Sequence, residues 1–395
     1  MKCKFDLLEN NLKTYISSGK IAGGALAIAI GEDVVFSTYQ GYEDLENKKA
    51  IDKNSVFRLA SMTKPITSAA ILICEDQGLL DIEDNISKFL PKFKHMYLNA
   101  GDEKNLVKGK EINREIKIAD LLTHTAGFGG PLESPQYDAI PFFKRNLKDN
   151  VDKYTSFLLP NNPGEIFAYS GVVGFDILAR IVEVASNMNY ETFLKKYIFD
   201  PLGMNSTTYK YNKDNIKHQV KMYKHENGKL ILSENQERSF ECIQPGEVGG
   251  GAALLSTVSD YIKFAIMLTN YGVYKGKRIL SKKAIKQMST AYLDTNKTKG
   301  IDIYANWGLG VFIRGKQNPE VNFHLNVGSF GWSGAYGTHY FSDPSLKLSV
   351  VYMHNSQTYG GAGAPHTIEL ERIISKVFNC ANDWFYIIGF FKTTS

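Results

Sequence analysis

Strand-like segments lie near both ends of this chain, and helical patterns occupy its middle. Residues 24–30 and 34–40 are apolar, extended runs joined by Gly31-Glu32-Asp33, a connection suited to a hairpin. Strand signals return at 307–313, 321–327, 335–341 and 347–354. This order predicts an α+β fold: an antiparallel sheet flanked by terminal helices, with a mostly helical lobe inserted in the middle.

The helices that flank the predicted sheet come from opposite ends of the chain. An apolar repeat that ends at Gly19 predicts the first helix, and Pro365 opens the last one. Gly249-Gly250-Gly251 marks a boundary, after which Ser256 is expected to cap a helix.

These boundaries divide the chain into two lobes. We expect residues 1–80 and 246–382 to form the sheet-bearing lobe and residues 81–245 the helical lobe, with the site between them. Residues 383–395 form an apolar tail that is expected to dock on the body, with shallow membrane insertion or self-association as alternatives.

One segment places a serine three residues before a lysine, at the predicted first turn of a helix that ends at Gly78. Residues i and i+3 share a helix face, so the Lys64 amine lies within reach of the Ser61 hydroxyl. A helix N-terminus also offers N–H groups without intrahelical partners, which stabilise an oxyanion. The other Ser-x-x-Lys match, Ser17 to Lys20, is interpreted as a solvated helix end.

Proton transfer from Ser61 requires more than a lysine alone. A lysine is ordinarily charged at neutral pH, so Lys64 must be desolvated or lie near another positive group to accept a proton. Tyr169, just after a turn and just before a predicted helix, is a candidate for a second proton carrier. From its position alone, ordinary packing of Tyr169 remains the alternative, because the chain contains 22 tyrosines.

A third element, Trp332-Ser333-Gly334, leads into a predicted strand. Glycine at a strand edge permits the close approach of a ligand or another backbone. A substrate carbonyl along this edge would accept hydrogen bonds from the amides of Ser61 and Ala335, which predicts an oxyanion hole. A β-bulge or tight turn without a ligand is the alternative.

Four motifs follow one another along the chain: Ser61-Met62-Thr63-Lys64, Leu121 to Gly127, Pro163-Gly164-Glu165 with Tyr169-Ser170, and Trp332-Ser333-Gly334. Their order resembles that of the serine β-lactamase-related family, in particular its class C branch. That branch groups class C β-lactamases, D-alanyl-D-alanine carboxypeptidases and family VIII carboxylesterases. The resemblance extends from about residue 10 to about residue 380.

The resemblance implies a β-lactamase/transpeptidase-like fold and a role for each matching residue. Ser61 is implied as the acylated nucleophile, Lys64 and Tyr169 as the proton-transfer pair, and the Ser61 and Ala335 amides as the oxyanion hole. The third motif, Trp332, Ser333 and Gly334, is implied to bind substrate.

Two departures from the family pattern bear on the substrate. Gly171 stands where β-lactamases and D,D-peptidases have the asparagine of Tyr-x-Asn, and Trp332 stands where they have lysine or histidine. A neutral indole cannot replace a cation that faces a substrate carboxylate. The resemblance therefore implies a serine hydrolase that acts on carboxylic esters of small uncharged groups. β-Lactamase, D-alanyl-D-alanine carboxypeptidase or D-aminopeptidase activity is an alternative, and a β-lactam-binding or sensor protein without turnover is another.

The segment Gly331-Trp332-Ser333-Gly334-Ala335 differs at a single residue from the G-x-S-x-G elbow of α/β-hydrolases. Asp343 and His366 follow Ser333 in the order that such a triad requires. We reject this alternative because the elbow needs a helix after the serine, whereas a strand is predicted there.

Composition and charge narrow the classes of function further. With 395 residues, 43% of them hydrophobic, the chain can bury a large core. The net charge of +5 is thinly spread and no nucleic-acid-binding pattern accompanies it, so nucleic acid is not an expected partner. The four cysteines and eight histidines lack ligand spacing, so no disulfide framework, metal or cofactor is expected. No signal peptide or membrane-spanning segment is found, which predicts a cytoplasmic protein. The resemblance implies a small-molecule ester, amide or β-lactam as the substrate.

Overall fold

The computed structural model describes residues 2–140, 146–233, 247–316 and 324–379. In chain order its strands are β1 (Gly23–Ile30), β2 (Asp33–Asp44), β3 (Lys49–Ala50), β4 (Phe57–Arg58), β5 (Tyr97–Asn99), β6 (Lys108–Glu111), β7 (Leu158–Leu159), β8 (Tyr223–Glu226), β9 (Lys229–Leu232), β10 (Leu255–Ser256), β11 (Val273–Tyr274), β12 (Lys277–Arg278), β13 (Ala305–Trp307), β14 (Phe312–Arg314), β15 (Phe330–Gly334), β16 (Thr338–Asp343) and β17 (Leu348–His354). Its α-helices are α1 (Lys2–Ser17), α2 (Thr63–Asp76), α3 (Ile118–Leu122), α4 (Glu133–Asp138), α5 (Leu147–Tyr154), α6 (Val173–Ser186), α7 (Tyr190–Leu194), α8 (Asp200–Leu202), α9 (Val258–Thr269), α10 (Lys282–Met288) and α11 (Pro365–Asn379).

The main sheet has eight strands in the order β13-β14-β15-β16-β17-β1-β2-β3, all paired antiparallel. The two ends of the chain meet where β1 pairs with β17, with Ala27 opposite Val351. The β-lactamase/transpeptidase-like fold with a large antiparallel sheet is therefore confirmed.

Both faces of the sheet are covered, because alternate side chains of each strand point to opposite sides. On β17, Val351 and Met353 belong to the large core that includes residues of α2, α6 and α9. Val350 and Tyr352 belong to a second core that includes residues of the terminal helices α1 and α11. The terminal helices thus flank the sheet, as the sequence predicts.

Several local expectations need correction. The run 307–313 contains two strands, β13 and β14, because Gly308 and Gly310 make the turn that separates them, with φ of +79° at Gly310. Residues 324–327 of the predicted strand 321–327 belong to no strand, and 321–323 lie outside the described residues. The strand β15 (Phe330–Gly334) lies where none was predicted, and β16 begins at Thr338, so the predicted run 335–341 starts three residues too early. The cap of α9 is Thr257, which accepts a hydrogen bond from the Asp260 amide, rather than Ser256.

Between β4 and β10 the described residues contain the helices α2 to α8, a short sheet in the order β6-β5-β7 and the two-stranded sheet β8-β9. The division into lobes stays a prediction, and its boundary at 245/246 and the apolar tail lie outside the described residues. Within the described ranges, no helix combines the length and apolar character needed to cross a bilayer.

Candidate active site

Ser61 lies in a single 3₁₀ turn, Ala60–Met62, that leads directly into α2. Ala60 has a φ of +47°, a left-handed conformation that is strained for a residue with a side chain. Neighbouring segments anchor the turn: the Leu59 amide donates to the Leu254 carbonyl at 2.9 Å, and the Thr338 hydroxyl donates to the Leu59 carbonyl at 2.8 Å. The strained turn is therefore held from two sides.

Lys64 is fully buried, and its amine contacts the serine. Its Nζ lies 3.3 Å from Ser61 Oγ and 3.0 Å from the carbonyl oxygen of Gly251, and it also donates to the carbonyl of Gly171. A neutral amine has two N–H donors and one lone pair. If both N–H groups point at the two carbonyls, the lone pair faces the Ser61 hydroxyl, which is the arrangement that a general base needs.

The glycine segment 249–251 supplies one of these carbonyls. A Cβ on Gly250 would lie 1.9 Å from the Phe175 carbonyl oxygen, and one on Gly251 would lie 2.8 Å from Val172 Cα. Asp176 Oδ1 accepts from the amides of Gly250 at 2.8 Å and of Gly251 at 3.3 Å. Glycine is needed here because the segment packs directly against the start of α6.

Tyr169 lies beside Lys64 and is contacted by the third motif. Lys64 Nζ is 5.0 Å from the centroid of the Tyr169 ring, and the indole nitrogen of Trp332 donates to Tyr169 Oη at 3.0 Å. The Trp332 ring also lies 4.6 Å from that of Trp307, centroid to centroid, nearly perpendicular to it. The structure thus brings Ser61, Lys64, Tyr169 and Trp332 together.

His124, quoted in the sequence only as part of a motif, supports the Tyr169 segment. Its ring centroid lies 4.5 Å from that of Tyr169, and its Nδ1 accepts a hydrogen bond from the Ser170 amide at 3.0 Å. Burial holds the pKa of His124 well below its usual value, and the charge of Lys64 adds to this effect. His124 is therefore neutral, with its proton on Nε2.

Glu133 is a second supporting residue that no sequence motif indicated. It is 2% exposed, and its carboxylate accepts four hydrogen bonds from the segment 170–173 that follows Tyr169. No local pattern points to this role, because its partners are at least 37 positions away.

The third motif lies along the edge of the Ser61 turn. A Cβ on Gly334 would lie 2.2 Å from the Leu59 carbonyl oxygen, so glycine allows β15 to approach this turn. Ala335 is exposed in the turn between β15 and β16, and its amide makes no hydrogen bond with the part of the chain that the structure describes. This amide is available to a substrate oxygen.

Ser333 points to the opposite face of β15 from Trp332. Its hydroxyl lies 2.8 Å from His339 Nδ1, and His339 Nε2 lies 3.3 Å from a carboxylate oxygen of Glu371 on α11. The expected contact of Ser333 with a substrate stays a prediction. The partners proposed for a hydrolase elbow are engaged elsewhere, since His366 contacts His354 and Asp343 accepts from Asn326.

A cluster of three side chains of metal-ligating type lies at a different place. In the described ranges, Glu43, Asp52 and His218 bring three ligand atoms within 4.8 Å of one another. Glu43 is already occupied, because it pairs with Lys49 at 2.7 Å and accepts a hydrogen bond from Ser55.

Comparison with known proteins finds a family match, relatives in sequence and a similar solved structure. The Beta-lactamase family model matches residues 8–371 of the chain. Protein Rv1367c of Mycobacterium tuberculosis is 26% identical over 367 residues, which cover 87% of this chain and 88% of that protein. Penicillin-binding protein 4* of Bacillus subtilis is 27% identical over 350 residues, which cover 85% of this chain and 68% of that protein. The structure of EstCE1, a hydrolase with promiscuous acyltransferase activity, aligns with a TM-score of 0.78 and 23% identity over 95% of this chain and 99% of EstCE1.

Proposed function

Because the chain belongs to the Beta-lactamase family, whose members are serine hydrolases, we propose that it is a carboxylesterase that acts through a Ser61 acyl-enzyme. The observation that carries this proposal is the contact between Lys64 Nζ and Ser61 Oγ at 3.3 Å, with the amine buried and held by two backbone carbonyls.

The reaction has two steps. In the first, Lys64 and Tyr169 take the proton of Ser61 as Oγ forms a bond to the ester carbonyl carbon. The amides of Ser61 and Ala335 hold the developing oxyanion. The carbon–oxygen bond to the alkoxy group then breaks, and that group leaves as an alcohol with the proton. In the second step, water cleaves the acyl-enzyme, releases a carboxylic acid and restores the serine.

Two features favour an ester of an uncharged acyl group. Trp332 presents a neutral indole whose N–H is already directed at Tyr169, so a substrate carboxylate finds no cation at this position. At position 171 a glycine replaces the amide side chain that would bind an acylamino group.

A second candidate is β-lactam or D-alanyl peptide hydrolysis, which the similarity to penicillin-binding protein 4* favours. Incubation with p-nitrophenyl butyrate, a chromogenic cephalosporin and a D-alanyl-D-alanine peptide distinguishes the two candidates. Turnover of the ester alone supports the esterase. Turnover of the cephalosporin or the peptide in preference to the ester contradicts it. A stable adduct without turnover supports the sensor alternative instead.

A further inference from the structure

A buried anion lies behind the segment that carries Tyr169. Glu133 Oε1 accepts hydrogen bonds from the Ser170 hydroxyl at 3.0 Å and from the amides of Val172 and Val173 at 2.9 Å each. Oε2 accepts from the Gly171 amide at 3.2 Å. Since all four partners donate, the arrangement fits an ionised carboxylate.

One peptide unit joins this carboxylate to Lys64. The Gly171 carbonyl accepts from Lys64 Nζ, and the N–H of the same peptide, which belongs to Val172, donates to Glu133 Oε1. A positive group therefore lies at one end of the peptide dipole and a negative group at the other. Each charge strengthens the hydrogen bond that the other end of the peptide makes.

The other titratable groups around Lys64 do not act as its negative partner through this peptide. His124 is neutral, and Tyr169 accepts the indole hydrogen bond. Asp176, on α6, binds the amides of Gly250 and Gly251 and the hydroxyl of Tyr154. Burial raises the pKa of the Glu133 carboxyl, whereas the hydrogen bonds of Val173, Val172 and Ser170 and the charge of Lys64 oppose that rise.

We propose that Glu133 is a positioning residue that also acts as the counter-ion of Lys64 through the Gly171–Val172 peptide. It fixes the carbonyl that orients the amine, and its charge favours the protonated amine. This inference rests on the proposed function, in which Lys64 is the base. Loss of the negative charge is then expected to move the rising limb of the pH–activity profile to lower pH.

The test is the pH dependence of kcat/KM for p-nitrophenyl butyrate. Glu133→Gln retains the shape but removes the charge, and the midpoint of the rising limb is expected to move about one pH unit lower. Glu133→Asp retains the charge but shortens the reach, and it is expected to lower kcat about tenfold or more without moving the midpoint.

Asp260→Asn is the matched control, because it neutralises another buried carboxylate, one that binds the Ser206 amide at 2.7 Å and Lys263 at 2.9 Å. A lower midpoint in Glu133→Gln but not in Asp260→Asn supports the inference. An unchanged or higher midpoint in Glu133→Gln overturns it.

If Glu133→Gln does not fold, Glu133→Asp decides the matter. A lowered kcat with the wild-type midpoint supports the inference, and a wild-type kcat overturns it. Failure of the wild-type protein to hydrolyse any ester contradicts the proposed function instead, and this is measured before any variant is compared.

Discussion

The indole nitrogen of Trp332 donates a hydrogen bond to the phenolic oxygen of Tyr169 at 3.0 Å. The third motif therefore contacts the proposed proton carrier directly, across 163 positions of sequence. Since an indole brings no charge, Trp332 orients Tyr169 without adding a cation to the cleft. The replacement of lysine or histidine by Trp332 therefore bears both on the proposed proton transfer through Tyr169 and on the proposed preference for uncharged substrates.

Replacement of Trp332 by phenylalanine tests that contact. Trp332→Phe keeps an aromatic ring but removes the N–H donor, and a net loss of about 1 kcal/mol corresponds to a decrease in kcat of about fivefold. Steady-state hydrolysis of p-nitrophenyl butyrate measures this change, with KM expected to move little. An unaltered kcat would show that Tyr169 does not depend on the indole.

Removal of the Lys64 amine is expected to abolish the reaction while preserving the fold. Lys64→Met keeps the apolar stem inside α2 but has no proton acceptor, so kcat/KM is expected to fall about a thousandfold. Circular dichroism and thermal unfolding check that the variant remains folded. Residual activity within tenfold of the wild type would remove Lys64 from the mechanism.

A methyl group at Gly250 is expected to damage both stability and activity. The added Cβ would lie 1.9 Å from the Phe175 carbonyl oxygen, so the backbone must shift at a cost of about 1–3 kcal/mol. The shift also displaces the adjacent Gly251 carbonyl that holds Lys64. Gly228→Ala is the control for activity, because its Cβ meets nothing within 4 Å and the strain of its left-handed φ of +77° falls on the exposed turn between β8 and β9. Thermal unfolding and ester hydrolysis of both variants measure the effect, and equal activity in the two would contradict this packing argument.

We expect the folded protein to lose stability in mild acid, because His354 and His366 are buried next to each other. Their Nε2 atoms lie 2.7 Å apart, and burial lowers the pKa of His366 from 6.5 to about 4. Above pH 6.5 both the folded and the unfolded states are neutral at this residue, so stability is constant. Between pH 6.5 and pH 4 the unfolded state binds the proton and the folded state does not, so the free energy of unfolding falls.

For His366 alone this decrease amounts to about 2 kcal/mol between pH 7 and pH 5. Urea unfolding at the two pH values measures it. The exposed His95 provides the control, because His95→Gln is expected to leave the decrease unchanged. A free energy of unfolding that stays constant down to pH 5 would show that the pair is not buried in its neutral form.

The parts of the structure that could be predicted from sequence are those set by local spacing. Ser61 and Lys64 are three residues apart, so helix geometry alone places them together. The pairing of the chain ends in one sheet also follows from the order of strand signals. The split of 307–313 into two strands does not follow from local spacing, because it depends on the close approach of Gly310 to Ser68, where a Cβ would lie 1.9 Å from the hydroxyl oxygen.

The supporting residues of the site could not be found in the same way. Glu133 and His124 act on the segment after Tyr169 through contacts made only in the folded chain. The contact of the Ser333 hydroxyl with His339 depends on the pleat and pairing of β15, whose register the motif does not specify.

The most direct test of the account is the intact mass of the protein after rapid acid quenching of its reaction with p-nitrophenyl butyrate. The wild type is expected to gain the mass of one butyryl group, located on Ser61 by peptide mapping, and Ser333→Ala is expected to gain it as well. Ser61→Ala is expected to gain nothing and to be inactive. Retained hydrolysis in Ser61→Ala, or an acyl group on Ser333 in place of Ser61, would contradict the account.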